Sequence, residues 1–216
     1  MASTNPEEKS LDFVQEGRVK IKESSQGGLL LFFTTTMLLP ELIKLNDYQG
    51  NWPEYLEAIY NAFSQDFKVD GIKYVDKQVG FISQPFYRGK EFSFWHMITE
   101  GKVEDERIPD IKRCERIKWP KFIIEHGGNK KVKVWVSKKR NKKGRIKNRV
   151  CFAVGDFDYF VVIEIRKDIF IFCTAYPILK HGRRKIRDDY NRNKNKHRPL
   201  EAVSDILLAE TSEPSI

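Results

Sequence analysis

The 216-residue chain is poor in the residues that build disulfide frameworks and metal centres: it carries 3 cysteines and 4 histidines. Cys114, Cys151 and Cys173 stand far apart with no paired spacing. This argues against a zinc site or a disulfide framework and fits a reducing cytoplasm. No closely spaced group of His and carboxylates resembles a metal site, and no glycine-rich phosphate loop is present, so neither metal nor cofactor is expected. Long apolar runs are missing too. The longest, Leu29 to Leu39, is interrupted by Thr34, Thr35 and Thr36 and falls short of the roughly 20 residues that span a bilayer. It reads as a buried strand or helix, and no membrane partner is expected. It also lies behind an acidic leader, unlike a secretory signal. There is no internal repeat.

What the chain has in quantity is positive charge, unevenly placed. The formal net charge is +9, yet residues 1–70 hold more acids than bases. Lys130 to Arg149 contains Lys and Arg but no Asp or Glu, and Lys180 to Arg198 sets only Asp188 and Asp189 against its cations. Two basic blocks flanking an apolar β region form the electrostatic footprint expected for a polyanion, nucleic acid first. Lys138, Lys139, Arg140, Lys142 and Lys143 in the first block, with Arg183, Arg184 and Lys185 in the second, are the expected nucleic-acid contacts. The alternative is an ordinary solvated surface or an acidic protein partner.

Aromatic and hydrophobic contents of 12% and 40% suit a packed core. Residues 1–10 are polar and expected to be a disordered leader. Leu11 to Ile21 alternates weakly, as a first strand would. Asn51 and Pro53 open a helix whose Leu56, Ile59, Tyr60, Phe63 and Phe67 share one face. Gln78 to Ser83 suggests a short strand ended by Gln84-Pro85. Lys90 to Gly101 predicts a second helix stopped by glycine, with Phe92, His96 and Thr99 on one face. A third starts near Pro109 and runs through Arg116, and Trp119-Pro120 kinks it or starts another before Gly127-Gly128.

The period then changes to two. Val132, Val134 and Val136 alternate with polar or aromatic neighbours, and Arg149–Val154, Tyr159–Ile165 and Ile169–Tyr176 continue as strands. The last two are joined closely enough to pair antiparallel. Lys180 to about Tyr190 is helical in pattern. The order predicts an α+β fold, with N-terminal helices packed on a C-terminal curved antiparallel β-sheet of about four to five strands. One domain is expected over 11–198, followed by an acidic peripheral tail at 199–216 with an apolar patch at Val203–Leu208.

Few side chains stand out chemically. His96 lies in a largely apolar helix, where an imidazole is either a satisfied core residue or a functional one. His126 sits at an element end, and His181 and His197 in the basic tail block could simply add charge. Arg113 and Arg116, three apart, would share a helix face, either in salt bridges to Asp110 and Glu115 or as a phosphate-binding pair that Arg107 could join. Thr174 and Tyr176 point to one face at the end of the last strand. Gly155 to Asp158 reads as a turn.

Five motifs combine: Phe94–Gly101 (FWHMITEG), Arg113–Trp119 (RCERIKW), Val132–Trp135 (VKVW), Tyr159–Ile165 (YFVVIEI) and Ile171–Pro177 (IFCTAYP). Together they resemble the phage and polymorphic-toxin nucleases of the barnase, EndoU, colicin-nuclease and RelE-like group. The resemblance covers about Lys90 to Ile178 and makes 90–198 the nuclease-like core; residues 1–89 resemble nothing comparable. It implies metal-independent RNA cleavage, in which the 2′-hydroxyl attacks the adjacent phosphorus. His96 would then be the acid or base, Arg113 and Arg116 would stabilise the phosphate, and Thr174 with Tyr176 would orient it. The implied partners are RNA, tRNA or mRNA among the options, and an acidic inhibitor or antitoxin. A competing expectation is a non-catalytic nucleic-acid-binding accessory protein that stacks bases on Trp135, Phe152 or Tyr159.

Overall fold

The period-two segment becomes four strands of a sheet in the computed structural model, which describes residues 37–101, 103, 106–140, 144–167, 169–194 and 203. The chain divides into two units, Met1–Leu39 and Pro40–Ile216, and nearly all described residues lie in the second. The expected leader, the weak strand at Leu11–Ile21, most of the Leu29–Leu39 run and nearly all of the acidic tail lie outside the described residues.

Strand β5 (Val132–Arg140) pairs with β6 (Ile146–Val154), β6 with β7 (Tyr159–Ile165) and β7 with β8 (Phe170–Pro177), all antiparallel as the pattern predicts. A bulge interrupts the last pairing between Val162 and Ile163. The sheet does not stop there. Strands β1 (Lys73–Tyr74) and β2 (Lys77–Gly80) extend it, and β2 runs parallel to β8, giving the order β1-β2-β8-β7-β6-β5. The fold is therefore α+β, but the sheet is mixed and six-stranded, where a purely antiparallel sheet of four to five strands was expected. Parallel pairing needs a long connection, here residues 81–169, and local periodicity carries no trace of it.

Helix α1 (Trp52–Ser64) starts where Asn51 accepts a hydrogen bond from Glu54 N, and it buries Tyr55, Ile59 and Phe63. Each such side chain contributes about 1.5–3 kcal/mol. A π-helical turn (Gln65–Val69) prolongs it, so that Phe67 meets Phe172 edge-on with ring centres 5.2 Å apart. Tyr74 packs on Phe152 at 5.0 Å, and Trp119, which opens α4 (Trp119–Glu125), packs on Tyr159 at 5.1 Å. These contacts seal one face of the sheet. Phe152 and Tyr159 are fully buried there, so they are core residues and not base-stacking platforms.

Helix α2 (Phe92–Ile98) is shorter than the sequence suggests. Thr99 leaves the helix to pair with Pro109, joining β3 (Thr99–Glu100) to β4 (Ile108–Pro109) in a separate two-stranded sheet. The guanidinium of Arg107 donates to the carbonyls of His96, Thr99 and Gly101 and to Thr99 Oγ1, capping the acceptors that the helix end exposes. Helix α3 (Ile111–Glu115) is capped by Asp110, which accepts from Lys112 N and Arg113 N. Helix α5 (Lys180–Asn193) follows the sheet. No helix among the described residues is long and apolar enough to cross a membrane.

The π-helical turn stores a carboxylate at a cost. Burial pushes the Asp66 carboxyl up to about 6, against the opposing charge of Lys121. Its Oδ2 is buried without a hydrogen-bond partner, while Lys121 serves Asp70, Glu125 and Gly71 O. Because the folded-state value is raised, the folded form binds this proton more tightly than the unfolded chain, and the advantage fades as pH rises through about 6. Asp66→Asn is therefore expected to raise the urea midpoint at pH 7. The gain should shrink below pH 5; a gain equal at both pH values would refute the desolvated carboxylate.

Candidate nucleic-acid interface

Alternation along the strands fixes what the second face of the sheet carries. The register sets Trp135, Cys151, Val162 and Thr174 in one row, Ala153, Phe160 and Tyr176 in the row to one side, and Ser137, Arg149 and Glu164 in the row to the other. Helix α5 lies against part of this face. Trp135 Nε1 donates to Asp189 Oδ2 at 2.8 Å, and Tyr190 meets the indole edge-on at 5.4 Å. Arg187 binds both carboxylate oxygens of Asp156 at 2.8 Å, and Arg183 pairs with Asp158. Both acids belong to the β6–β7 turn, where Gly155 has φ +62° and an added Cβ would collide with Asp158 Oδ2. The expected turn at Gly155–Asp158 is thus the socket for α5.

Between α5, the start of α3 and the uncovered strands lies a cleft of about 890 Å³, within the range of roughly 300–1,000 Å³ typical of ligand sites. Its floor is apolar: Phe160, Val162, Cys151 and Ile178. Its rim is basic, with Lys138, Lys139 and Arg149 from the first charged block, Lys185 and Arg192 from the second, and Lys112 and Arg113 from α3. Glu100, Asp110 and Asp189 also border it. Asp110 and Asp189 are occupied by the α3 cap and the Trp135 indole.

Arg149 is the most informative of the cations. Its register partner Glu164 is committed elsewhere, with Lys147 Nζ 2.8 Å from both oxygens and Arg166 Nε at 3.2 Å. Burial alone would raise the Glu164 carboxyl, but these hydrogen bonds outweigh it and hold it below the usual range. Arg149 is left with Nε buried and without a hydrogen-bond partner, and among the described residues no carboxylate pairs with it. A partly desolvated guanidinium without a counter-charge is unfavourable unless an anion arrives.

The predicted catalytic residues separate. Arg113 and Tyr176 both line the cleft: the guanidinium lies over the phenol ring at 5.2 Å, Arg113 donates to Thr99 O at 2.9 Å, and its Nε pairs with Asp110 Oδ2 at 3.3 Å, the salt bridge that the sequence offered as the alternative. Burial pushes the Tyr176 phenol up, which keeps it protonated. Thr174 shares the face, paired with Val162, without lining the cleft. His96 is elsewhere: its ring is half-buried on α2, stacked with Phe92 at 5.6 Å, and borders no part of the cleft. Arg116 is elsewhere as well. Helix α3 ends at Glu115, and Arg116 has φ −100° and ψ 23°, so it does not continue the face of Arg113. Its side chain is 6% exposed, bonded to Lys112 O and Glu115 and placed over Trp119 at 5.1 Å. It is a packing residue.

The binding residues separate too. Lys138, Lys139 and Lys185 border the cleft, whereas Arg140 lies beyond it at the end of β5. Arg184 is 91% exposed and off the cleft, Arg183 is spent on Asp158, and Lys142 and Lys143 lie outside the described residues. Sequence reasoning missed Arg149, Arg192, Lys112 and His181 as cleft residues. For Arg149 a signal was present, since in a β5–β6 hairpin it falls on the same face as Cys151. Trp135 is only 1% exposed and serves as a wall more than a stacking platform. No group of three or more His, Cys, Asp or Glu able to hold a metal occurs among the described residues. No family model, no curated protein and no solved structure matches the chain, which leaves the chemistry of this cleft as the guide to function.

Proposed function

We propose that the protein binds single-stranded RNA along the cleft between α5 and the uncovered strands, and cleaves it there without a metal ion. One observation carries the reading: cations from two stretches distant in sequence meet at one apolar-floored cleft, and one of them, Arg149, lacks a counter-anion. Phosphates satisfy the rim, and unpaired bases suit the floor, where Phe160 and Tyr176 present aromatic surface. A paired helix hides its bases in the stack and could offer only its backbone. The resemblance of Lys90–Ile178 to the barnase, EndoU, colicin-nuclease and RelE-like nucleases points the same way, with Arg113 and Tyr176 kept as phosphate-facing groups and His96 and Arg116 given up. A toxin or phage-defence role, acting in the cytoplasm and held in check by an acidic inhibitor over the cleft, fits this reading. The three free cysteines suit such a reducing setting.

The test uses the purified full chain with total RNA in excess EDTA. Fragments ending in cyclic phosphate or 3′-phosphate are expected. In parallel, fluorescence anisotropy should show tighter, more salt-sensitive binding of single-stranded than of double-stranded RNA. Salt-sensitive binding without product would favour the non-catalytic accessory protein; absence of binding would remove both readings.

A further inference from the structure

We infer that His181, on the first turn of α5, is the proton-transfer residue of the cleft. The inference rests on the cleavage reading above and names a residue that the motif resemblance does not reach. Of the histidines, His96 does not border the cleft, and His197 lies outside the described residues. His126 ends α4 stacked on Phe122 at 4.0 Å, with Nδ1 2.8 Å from Phe122 O. His181 is the one described histidine that borders the cleft, on the same lining as Arg113, Tyr176 and Arg149.

The chain on either side of it is held in place while the residue itself stays exposed. On one side Ile178 is buried in the cluster of Trp135, Cys151 and Phe157, and its N–H donates to Asp158 O at 2.8 Å. On the other, Arg183 is locked to the carboxylate of that same Asp158. Next to the ring, Gly182 lets the helix settle on Ile178, whose Cγ2 would stand 3.3 Å from an added Cβ. The backbone that carries the imidazole is thereby held beside the cleft, which is what a reacting group requires of its anchor. Imidazole is also the side chain best able to take and return a proton near neutral pH.

In the step assigned to it, His181 accepts the proton of the ribose 2′-hydroxyl as the O2′–P bond forms and the P–O5′ bond breaks. The departing 5′-oxygen takes a proton from water at the open mouth, and the imidazolium returns its proton to the hydroxide so formed. The products are a 2′,3′-cyclic phosphate and a 5′-hydroxyl, with no other reactant consumed. Arg149 and Arg113 hold the phosphate oxygens, and the protonated Tyr176 phenol donates a hydrogen bond to them.

The experiment compares the wild-type chain, His181→Ala and His96→Ala on one single-stranded RNA, with binding measured on its 2′-deoxy counterpart, which lacks the nucleophile. His181→Ala should cut cleavage by roughly 10²-fold or more, bind the deoxy strand within about twofold of wild type, and regain cleavage when free imidazole is added. His96→Ala should cleave as wild type does. The inference is overturned if His181→Ala cleaves normally, or if it loses binding in proportion to cleavage, which would make the ring merely part of the charge. A wild-type protein that binds but yields no product overturns the cleavage reading itself, and the inference with it.

Discussion

Replacing Lys139, Arg149, Lys185 and Arg192 together by glutamine is expected to weaken single-stranded RNA binding by about 10³-fold at low salt, about 1 kcal/mol for each phosphate left without its cation. The slope of log affinity against log salt should fall by about 3, because each phosphate neutralised on a single strand releases about 0.7 of a counterion. The four residues come from β5, β6 and α5, and they border one cleft. A control variant, Arg140→Gln with Arg184→Gln, removes two cations of the same blocks that stand off the cleft. Its slope should change by less than about 1. Equal losses per charge in the two variants would mean that the protein attracts RNA by net charge alone, and the cleft would have no special claim.

That contrast matters because the basic blocks are not uniform in what they do. Of the cations in α5, Arg183 and Arg187 are spent on Asp158 and Asp156 and fasten the helix to the β6–β7 turn, while Lys185 and Arg192 border the cleft, Arg192 with a looser contact to Asp189 at 3.6 Å. Sequence alone sees a run of like charge; which members are internal fasteners depends on the acids that the turn brings to them. The same holds for the carboxylates, where Glu164 takes Lys147 and Arg166 and so leaves Arg149 exposed to need.

Strong periodicity was legible and weak periodicity was not. The alternation from Val132 onward marked β5 to β8 and the antiparallel pairing of the last two, and the spacing of Ile59, Phe63 and Phe67 marked α1, without its π-helical end. Strand β1 is two residues long, too short for a pattern to register; the strand expected at Gln78–Ser83 forms as β2 at Lys77–Gly80, but its parallel place beside β8 is set by partners far from any local signal. The candidate site was half legible. Tyr176 and Arg113, named because one ends a strand and the other sits on a helix, both border the cleft. Arg116 misled because a shared face presumes that the helix continues, and α3 stops one residue earlier. His96 draws attention as an imidazole in an apolar helix but does not border the cleft, whereas His181, which does, stands in sequence among lysines and arginines.

Trp135 should be the costliest single side chain to remove on the cleft side of the sheet. Its indole is 1% exposed, stacked on Phe160 at 5.7 Å and met edge-on by Tyr190 at 5.4 Å, while Nε1 donates to Asp189. Truncating a buried Trp to Ala typically costs about 3–5 kcal/mol. Here the cavity would open under α5, undercutting the packing of Ile186 and Tyr190 on the same cluster, while the exposed Arg187–Asp156 pair contributes little by itself. Trp135→Phe keeps most of the volume and removes the hydrogen bond to a carboxylate, a loss of about 1.5–3 kcal/mol. The two variants separate packing from the polar anchor, and urea denaturation measures both. If Trp135→Ala cost less than about 1 kcal/mol, α5 would not depend on the sheet beneath it. In that event the wall carrying His181, Lys185 and Arg192 would be too loosely held to position a phosphate.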